Sequence, residues 1–290
     1  MSATAPADSW PIIVGGCHRS GTSLVRRLLN AHSRIYCGPE VKFFRDFYND
    51  YGQDPLQHLR FATSARAMLS EGELLEVLGR AFVILHERAA AQAGKARWAD
   101  KNPENVLYLA EWQRLLDDRW ALVHVVRNPL DNLASMKEAG FPLTLPPELE
   151  ARIALYRRYT EAGLSFGASQ PARYYLLLYE RLVSSPEEEL QELMRWLGEE
   201  AEPAQLAFNR QPQQPGLEDP KIATTAGVHT ESIGRWPAIL TPEEARAIWQ
   251  ETEALWSQLD PEGSYRPAFQ PLSRRFWQVL PGLARGGRRR

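Results

Sequence analysis

The chain has 290 residues, enough for one large or two ordinary domains, and its 44% hydrophobic and 24% charged residues with nine Trp describe a globular protein with a sizeable core. A net charge of −2 excludes nucleic-acid binding by overall charge, so any anion site has to be local. No run of about 18 apolar residues predicts a transmembrane helix, the N-terminus MSATAPADSW has no secretory pattern, and two cysteines, Cys17 and Cys37, are too few for a disulfide framework, which leaves a reduced cytoplasmic protein as the expectation.

Residues 11–15 read as a buried strand, followed by a glycine-bearing turn and a helix over 22–31. A short strand near 34–37 comes next. Segment 54–93 has helical spacing through Leu74, Leu75, Leu78, Phe82 and Leu85. Residues 98–100 end a strand, and a helix over 104–116 follows Pro103. Residues 120–126, WALVHVV, make the clearest strand, and Asn128-Pro129 opens a helix to about 136, with proline in its first turn. A helix over 147–166, a strand over 173–179 and a helix over 186–198 follow. Residues 209–237 are loop-like, and Thr241-Pro-Glu-Glu starts a helix that runs to 259. His124, inside an apolar strand, reads as a hydrogen-bonded core residue, and Trp112, Trp120, Trp196, Trp249 and Trp256 read as core.

Continuous apolar strands alternating with helices predict a parallel sheet covered on both faces. The fold class expected is therefore α/β: a P-loop-like parallel sheet flanked by helices, with helical insertions. A single domain over 11–270 is expected between a disordered N-terminal tail, 1–10, and a basic, flexible C-terminal tail, 271–290, ending in GLARGGRRR. In such sheets ligands bind beyond the carboxyl ends of the strands.

The stretch IIVGGCHRSGTSL at 12–24 is a strand–loop–helix phosphate cradle. From Gly16 to Ser23 its spacing is that of G-x-x-x-x-G-K-[ST], with Thr22 where a triphosphatase carries lysine. The loop N–H groups and the positive end of the helix bind an anion. Without the lysine that reaches outer phosphates, the loop suits a 5′-phosphate carrying something other than a triphosphate. A second anion site follows at the end of strand 120–126. There Arg127 offers a planar, two-pronged donor, and Ser135 stands eight residues on, about two helical turns. Two anion sites point to a ligand with two separate phosphates.

The segments GCHRSGTSL, VVRNPLDNLAS and YERLVSSPEEEL resemble the sulfotransferase family, and RRLLNAHSRIYCGPEVKFF keeps the register of its tyrosylprotein sulfotransferase branch. The resemblance implies a donor, 3′-phosphoadenosine 5′-phosphosulfate (PAPS), and a product, PAP. It implies that Arg19, Ser20, Gly21, Thr22 and Ser23 hold the 5′-phosphosulfate, that Arg127 and Ser135 hold the 3′-phosphate, and that Tyr179 contacts the donor. Glu40 falls on the proposed base and Lys101 on the lysine that steadies the sulfuryl group. Thr225 and Arg235 fall in a flap, KIATTAGVHTESIGRW, as its serine at the sulfuryl group and its lysine near the 3′-phosphate. Trp236 is a candidate to stack on the adenine, and His18 is an alternative base or a group packed against the sulfuryl. Pro39, Lys42 and Ala139 depart from the family pattern, which leaves the protein-tyrosine acceptor open.

These residue types suit in-line sulfuryl transfer. A carboxylate within reach takes the acceptor's proton. Fixed cations and N–H groups stabilise the charge that builds on the leaving oxygen. No metal is expected, since no His/Cys cluster has ligand spacing. The expected partner is a hydroxyl-bearing acceptor: a peptide tyrosine, a phenol, a glycan, a lipid or a small metabolite, with Lys42 and Arg45 available to attract acidic flanks. An ATP-dependent kinase or hydrolase would need lysine at position 22, and a non-catalytic binding module would tolerate loss of Glu40 and Lys101.

Overall fold

A computed structural model of the chain describes residues 9–48, 59–139, 145–210, 225 and 227–266, without the side chains of 59–63. Both expected tails fall almost wholly outside the described residues, as do 54–58 of the expected helix 54–93 and 211–224 of the expected loop. The described segments form five strands, β1 (Ile12–Gly15), β2 (Ile35–Cys37), β3 (Arg97–Lys101), β4 (Ala121–Val126) and β5 (Tyr174–Leu178). The helices are α1 (Thr22–Ala31), α2 (Phe43–Tyr48), α3 (Leu59–Met68), α4 (Glu71–Gln92), α5 (Leu109–Leu116), α6 (Pro129–Ala139), α7 (Leu149–Ser169), α8 (Tyr179–Ser184), α9 (Pro186–Leu197), α10 (Pro203–Leu206) and α11 (Pro242–Leu259).

The strands make one parallel sheet in the order β2-β3-β1-β4-β5. Alternate residues of each strand feed opposite cores. Ile12, Val14, Val123 and Val125 pack with Leu24, Leu28, Leu190 and Leu193 from α1 and α9. Ile13, Leu122 and Val126 pack with Trp112, Leu130, Tyr156 and Trp249 from α5, α6, α7 and α11. Both faces are covered, so β1, β4 and β5 read as near-continuous apolar runs rather than alternating, whereas β3, RWADK, carries polar residues at both ends. The central strand β1 and its neighbour β4 are wholly buried, and the chain leaves each at the same edge, where Gly16 and Arg127 lie.

Several elements differ from their sequence expectation for physical reasons. The helix expected over 104–116 is a 3-10 turn, Pro103–Leu107, followed by α5. Asn105 breaks it by turning its amide inward, donating to Val14 O (3.0 Å) and to Asp100 Oδ2 (2.8 Å). The segment 54–93 is divided before α4, where Ser70 and Glu73 form a capping box, a Ser-x-x-Glu signal legible in the sequence. Along α4 the inward face runs through Leu75, Gly79, Phe82 and His86, and Leu85 is exposed. Strand β5 stops at Leu178, and Tyr179 already begins α8.

Trp112, Trp120, Trp249 and Trp256 are buried, whereas Trp196 is half-buried against Tyr175 (centroids 5.3 Å apart). His124 is fully buried and its Nδ1 lies 2.9 Å from Tyr174 Oη; burial takes the imidazole down to about 3, so it stays neutral. Cys17 and Cys37 are both buried and free, on opposite faces of the sheet. Among the described residues no helix is long and apolar enough to cross a membrane.

Candidate active site

The loop between β1 and α1 is set by three unusual backbone positions. Gly16 has φ 153°, and a Cβ there would come within 2.1 Å of Val125 O. Gly21 has φ 102°, and a Cβ would stand 2.4 Å from the Tyr179 ring. Arg19 is a non-glycine residue at φ 67°, a conformation that costs about 1–2 kcal/mol. The turn is tied down by Gly16 N–H donating to Pro103 O (3.1 Å) and Ser20 N–H donating to Cys17 O (3.1 Å). Helix α1 then begins with no acidic residue in its first turn, so the positive end of its dipole is uncompensated by its own side chains. Ser20 and Thr22 are buried, and the Ser20 hydroxyl has no hydrogen-bond partner among the described residues.

The two anion motifs meet. Arg19 Nε donates to Ser135 Oγ (3.2 Å), across 116 positions of chain. Arg127 Nη1 donates back to Arg19 O (3.2 Å), and Arg127 Nη2 donates to Ser232 O (2.5 Å). The Arg127 guanidinium lies 4.7 Å from the centre of the Tyr179 ring. Its Nε is buried without a hydrogen-bond partner among the described residues. Tyr156 Oη donates to Arg127 O (2.9 Å), and Asn128 N–H donates to the buried carboxylate of Glu180 (2.9 Å). Burial takes Glu180 up to about 7 against the pull of the Asn128 N–H and of Arg127. The segment after Gly227 is clamped to α6 by Asp131, which accepts from Gly234 N–H (2.6 Å) and Trp236 N–H (3.0 Å).

Lys101 ends β3 with its side chain buried. Its Nζ donates to Ser23 Oγ of α1 (3.0 Å) and to Glu40 Oε1. Glu40 Oε2 meets Lys42 Nζ at 2.8 Å. Burial works to raise the Glu40 carboxyl, but Lys101 and Lys42 outweigh it and hold the group below the ordinary carboxylate range. Lys42 also donates to both oxygens of buried Glu104 (3.1 and 3.2 Å), and Arg45 Nη1 donates to Glu104 Oε1 (3.1 Å). His18 Nε2 stands 3.5 Å from Glu104 and 3.4 Å from Tyr159 Oη. Burial, with Lys42 and Arg45, takes His18 down to about 4 against Glu104 and Glu40, so it is neutral at pH 7. Burial opposes ionisation of Glu104, and its surroundings, His18 when charged, Lys42 and Arg45, reverse this and take it down to about 2.

The loop bearing Glu40 is held from two sides. Arg26 Nη1 donates to Gly38 O (3.2 Å). Asn102 Nδ2 donates to Val41 O (3.0 Å) and to Asp100 Oδ2 (2.8 Å). Asp100 faces His86 with its other oxygen (3.2 Å). The structure thus gathers Arg19, Ser23, Lys101, Glu40, Arg127, Ser135 and Tyr179 around one edge. Two expected residues lie outside this hydrogen-bonded group. Arg235 is exposed and paired with Glu138 (3.1 Å), one turn beyond Ser135 on α6. Thr225 is half-buried and donates to Gly227 O (2.9 Å), while 221–224 and 226 lie outside the described residues. Trp236 packs against the core beside α6. Sequence reading missed Asp100, Asn102, Glu104 and Asn105. Their signal is the polar run ADKNPEN at a strand's carboxyl end, where only Lys101 had drawn notice.

A family model described as "Sulfotransferase family" matches residues 11–203, which include the whole sheet. The chain belongs to the sulfotransferase family. Nodulation protein NoeE of Sinorhizobium fredii is 28% identical over 287 residues, with 88% of this chain and 66% of that protein covered. Protein-tyrosine sulfotransferase 2 of Gallus gallus is 26% identical over 204 residues, with 64% of this chain and 50% of that protein covered. The chain therefore spans two thirds or less of these relatives' own length. The sulfotransferase domain of the Synechococcus PCC 7002 olefin synthase superposes with a TM-score of 0.62 at 19% identity, covering 87% of this chain and 97% of that one. That likeness is one of fold. In this chain the family match ends at 203, before the segment that carries Thr225, Arg235 and α11.

Proposed function

We propose that this sulfotransferase moves the sulfuryl group of PAPS to an acceptor hydroxyl by in-line displacement. One observation carries the reading: Arg19 of the phosphate loop is bonded to Ser135, and Arg127 is bonded to Arg19, so the two anion sites form one cleft floor. The residues fit a donor phosphorylated at both ends of its ribose. The Ser20 hydroxyl and Arg127 Nε are buried polar groups without hydrogen-bond partners among the described residues, and Gly16 and Gly21 are where a side chain would collide with Val125 of β4 and Tyr179 of α8. In this reading the loop N–H groups, Arg19, Ser20, Gly21, Thr22 and Ser23 hold the 5′ end. Arg127 and Ser135 hold the 3′-phosphate, and Tyr179 lines the cleft beside them. Thr225 and Arg235 belong to a segment that covers the nucleotide.

When bound, the donor supplies the sulfuryl group and a phosphate leaving group. Lys101, held on Ser23, brings positive charge to the reacting end without having to reorganise. Glu40 is kept ionised by Lys101 and Lys42, so it is ready to accept the acceptor's proton as the new S–O bond forms. As Lys101 shares its charge with the donor, Glu40 is less strongly paired and becomes a better base. His18, neutral and packed on Glu104 and Tyr159, shapes the wall rather than carrying charge. The acceptor we favour is a tyrosine or other phenol, in line with the Gallus relative's name; a glycan, lipid or metabolite hydroxyl is the alternative. Two buried free thiols suit a reducing, cytoplasmic setting.

Titration calorimetry with PAP and with 5′-AMP tests the donor. Binding of PAP tighter by at least about tenfold, the worth of one well-placed charged contact, is expected. Equal affinity for the two overturns the reading.

A further inference from the structure

Glu40 has a donor-facing oxygen, Oε1, which meets the lysine that also touches Ser23, and a second oxygen, Oε2, on the far side. An acceptor hydroxyl that gives its proton to Glu40 has to arrive beside this second oxygen. The groups standing there are Lys42, Glu104, Arg45 and His18. Lys42 and Arg45 are the cations that could select an acceptor with acidic flanks. Neither is unengaged. Glu104 takes both of its contacts with Lys42 within 3.2 Å and holds Arg45 at 3.1 Å, and its own side chain is 4% exposed. A carboxylate so buried persists because it is paired on every side. On this side two cations, Lys42 and Arg45, face Glu104 and the Oε2 oxygen of Glu40, whose Oε1 is paired with Lys101, and His18 adds no charge at neutral pH.

We infer that Glu104 is a specificity-determining residue: together with Glu40 it occupies Lys42 and Arg45, so this enzyme takes its acceptor as an uncharged hydroxyl compound and gives no advantage to acidic residues beside the hydroxyl. The inference rests on the sulfotransferase reading for the role of Glu40, but the charge compensation does not depend on which donor is bound. Glu104 has a second consequence. It offers Lys42 an alternative anion, so an arriving hydroxyl displaces Lys42 from Glu40 without stranding a buried ammonium.

A matched pair of peptides tests this: a tyrosine flanked by Glu and Asp, and the same peptide with Gln and Asn at those positions. Affinity is measured at low and at moderate ionic strength, with and without PAP. Wild-type protein is expected to show no preference, including the case in which neither peptide binds measurably, since exposed uncompensated cations would capture the acidic peptide at low salt. Glu104→Gln keeps the shape and releases the two cations, and it is expected to gain about tenfold for the acidic peptide only, an advantage that salt abolishes. A wild-type preference of about tenfold or more for the acidic peptide, lost at higher salt, overturns the inference; so does a folded Glu104→Gln with no gain. If PAP alone fails to bind, the donor reading falls, and the peptide titrations without PAP still decide the role of Glu104.

Discussion

The two halves of the cleft are built on different principles. The phosphate loop is fixed by backbone, with positive φ at Gly21 and Arg19, a carbonyl packed where a Gly16 side chain would be, and a tyrosine ring against Gly21, and Ser135 and Arg127 are tied to it through the Arg19 side chain and carbonyl. The acceptor half is fixed by charge, with Lys101, Glu40, Lys42, Glu104 and Arg45 linked in sequence through ion pairs. Backbone cradles bind what every member of a fold binds, because N–H groups do not depend on side-chain identity. Charge networks can be rewritten one residue at a time. In the proposed reading the donor half is therefore harder to alter through a single side chain, and the acceptor half easier.

The largest effect is expected where the halves join. Lys101 touches Ser23 on one side and Glu40 on the other. Lys101→Ala removes a preorganised charge and leaves Glu40 paired with Lys42 alone. A loss of about 10²–10³ in kcat is expected, with PAP affinity changed far less. Steady-state kinetics beside calorimetry check this, and an equal loss in both quantities would erase the distinction between the halves.

Next comes a break confined to the donor half. Arg127→Ala is expected to weaken PAP by about tenfold to a hundredfold, the worth of one or two charged hydrogen bonds, and to leave 5′-AMP unaffected. Gly21→Ala acts on the same half through shape. It places a methyl 2.4 Å from the Tyr179 ring at a φ of 102°. A lower Tm and weaker PAP binding together are expected, whereas loss of only one would show that loop shape and binding are separable.

A smaller effect sharpens the acceptor half. Asn102 joins Asp100 to the carbonyl of Val41, next to Glu40. If it acts by positioning the base, Asn102→Ala lowers kcat, leaves PAP binding intact, and costs nothing further once Glu40→Gln is present. Additive losses in the double mutant would assign Asn102 a purely structural part.

The contrast between the halves also explains what was legible in the sequence. The sheet, helix α1, the loop at 16–23 and the Arg127…Ser135 pair follow from spacing, because local backbone geometry dictates glycine and apolar residues at fixed offsets. Glu104 and Asp100 do not announce themselves. Their partners, Lys42, Arg45 and His86, lie far off in sequence, and burial of a carboxylate follows from the pairing rather than from any local pattern. The break between the 3-10 turn and α5 was hidden for the same reason, since it depends on Asn105 reaching Val14 O across the sheet. The half-buried Trp196 shows the converse, as hydrophobic character alone overstates burial at a helix edge.

The least effect on donor binding concerns Glu180, which supports Arg127 from behind through the Asn128 N–H, although its effect on stability is large. Its carboxyl is taken from an unfolded value of 4.5 up to about 7, chiefly by burial. A raised carboxyl binds its proton more tightly in the fold than in the unfolded chain. Its contribution to stability therefore falls as pH rises from about 4.5 to about 7 and is level above that. At pH 8 the folded chain carries a buried anion, one oxygen of which has no hydrogen-bond partner among the described residues. Glu180→Gln keeps an acceptor for Asn128 N–H without the charge, so it is expected to stabilise the protein at pH 8 by up to about 3 kcal/mol, and to make no difference below pH 4.5. Urea unfolding across that range reads the difference directly. Because the Asn128 N–H and Arg127 both favour the ionised carboxylate, the same titration is expected to tighten the wild-type β4–α6 turn as pH rises, so PAP affinity in Glu180→Gln falls relative to the wild type above about pH 7. A parallel course in both proteins would confine Glu180 to stability and leave the donor half to its backbone alone.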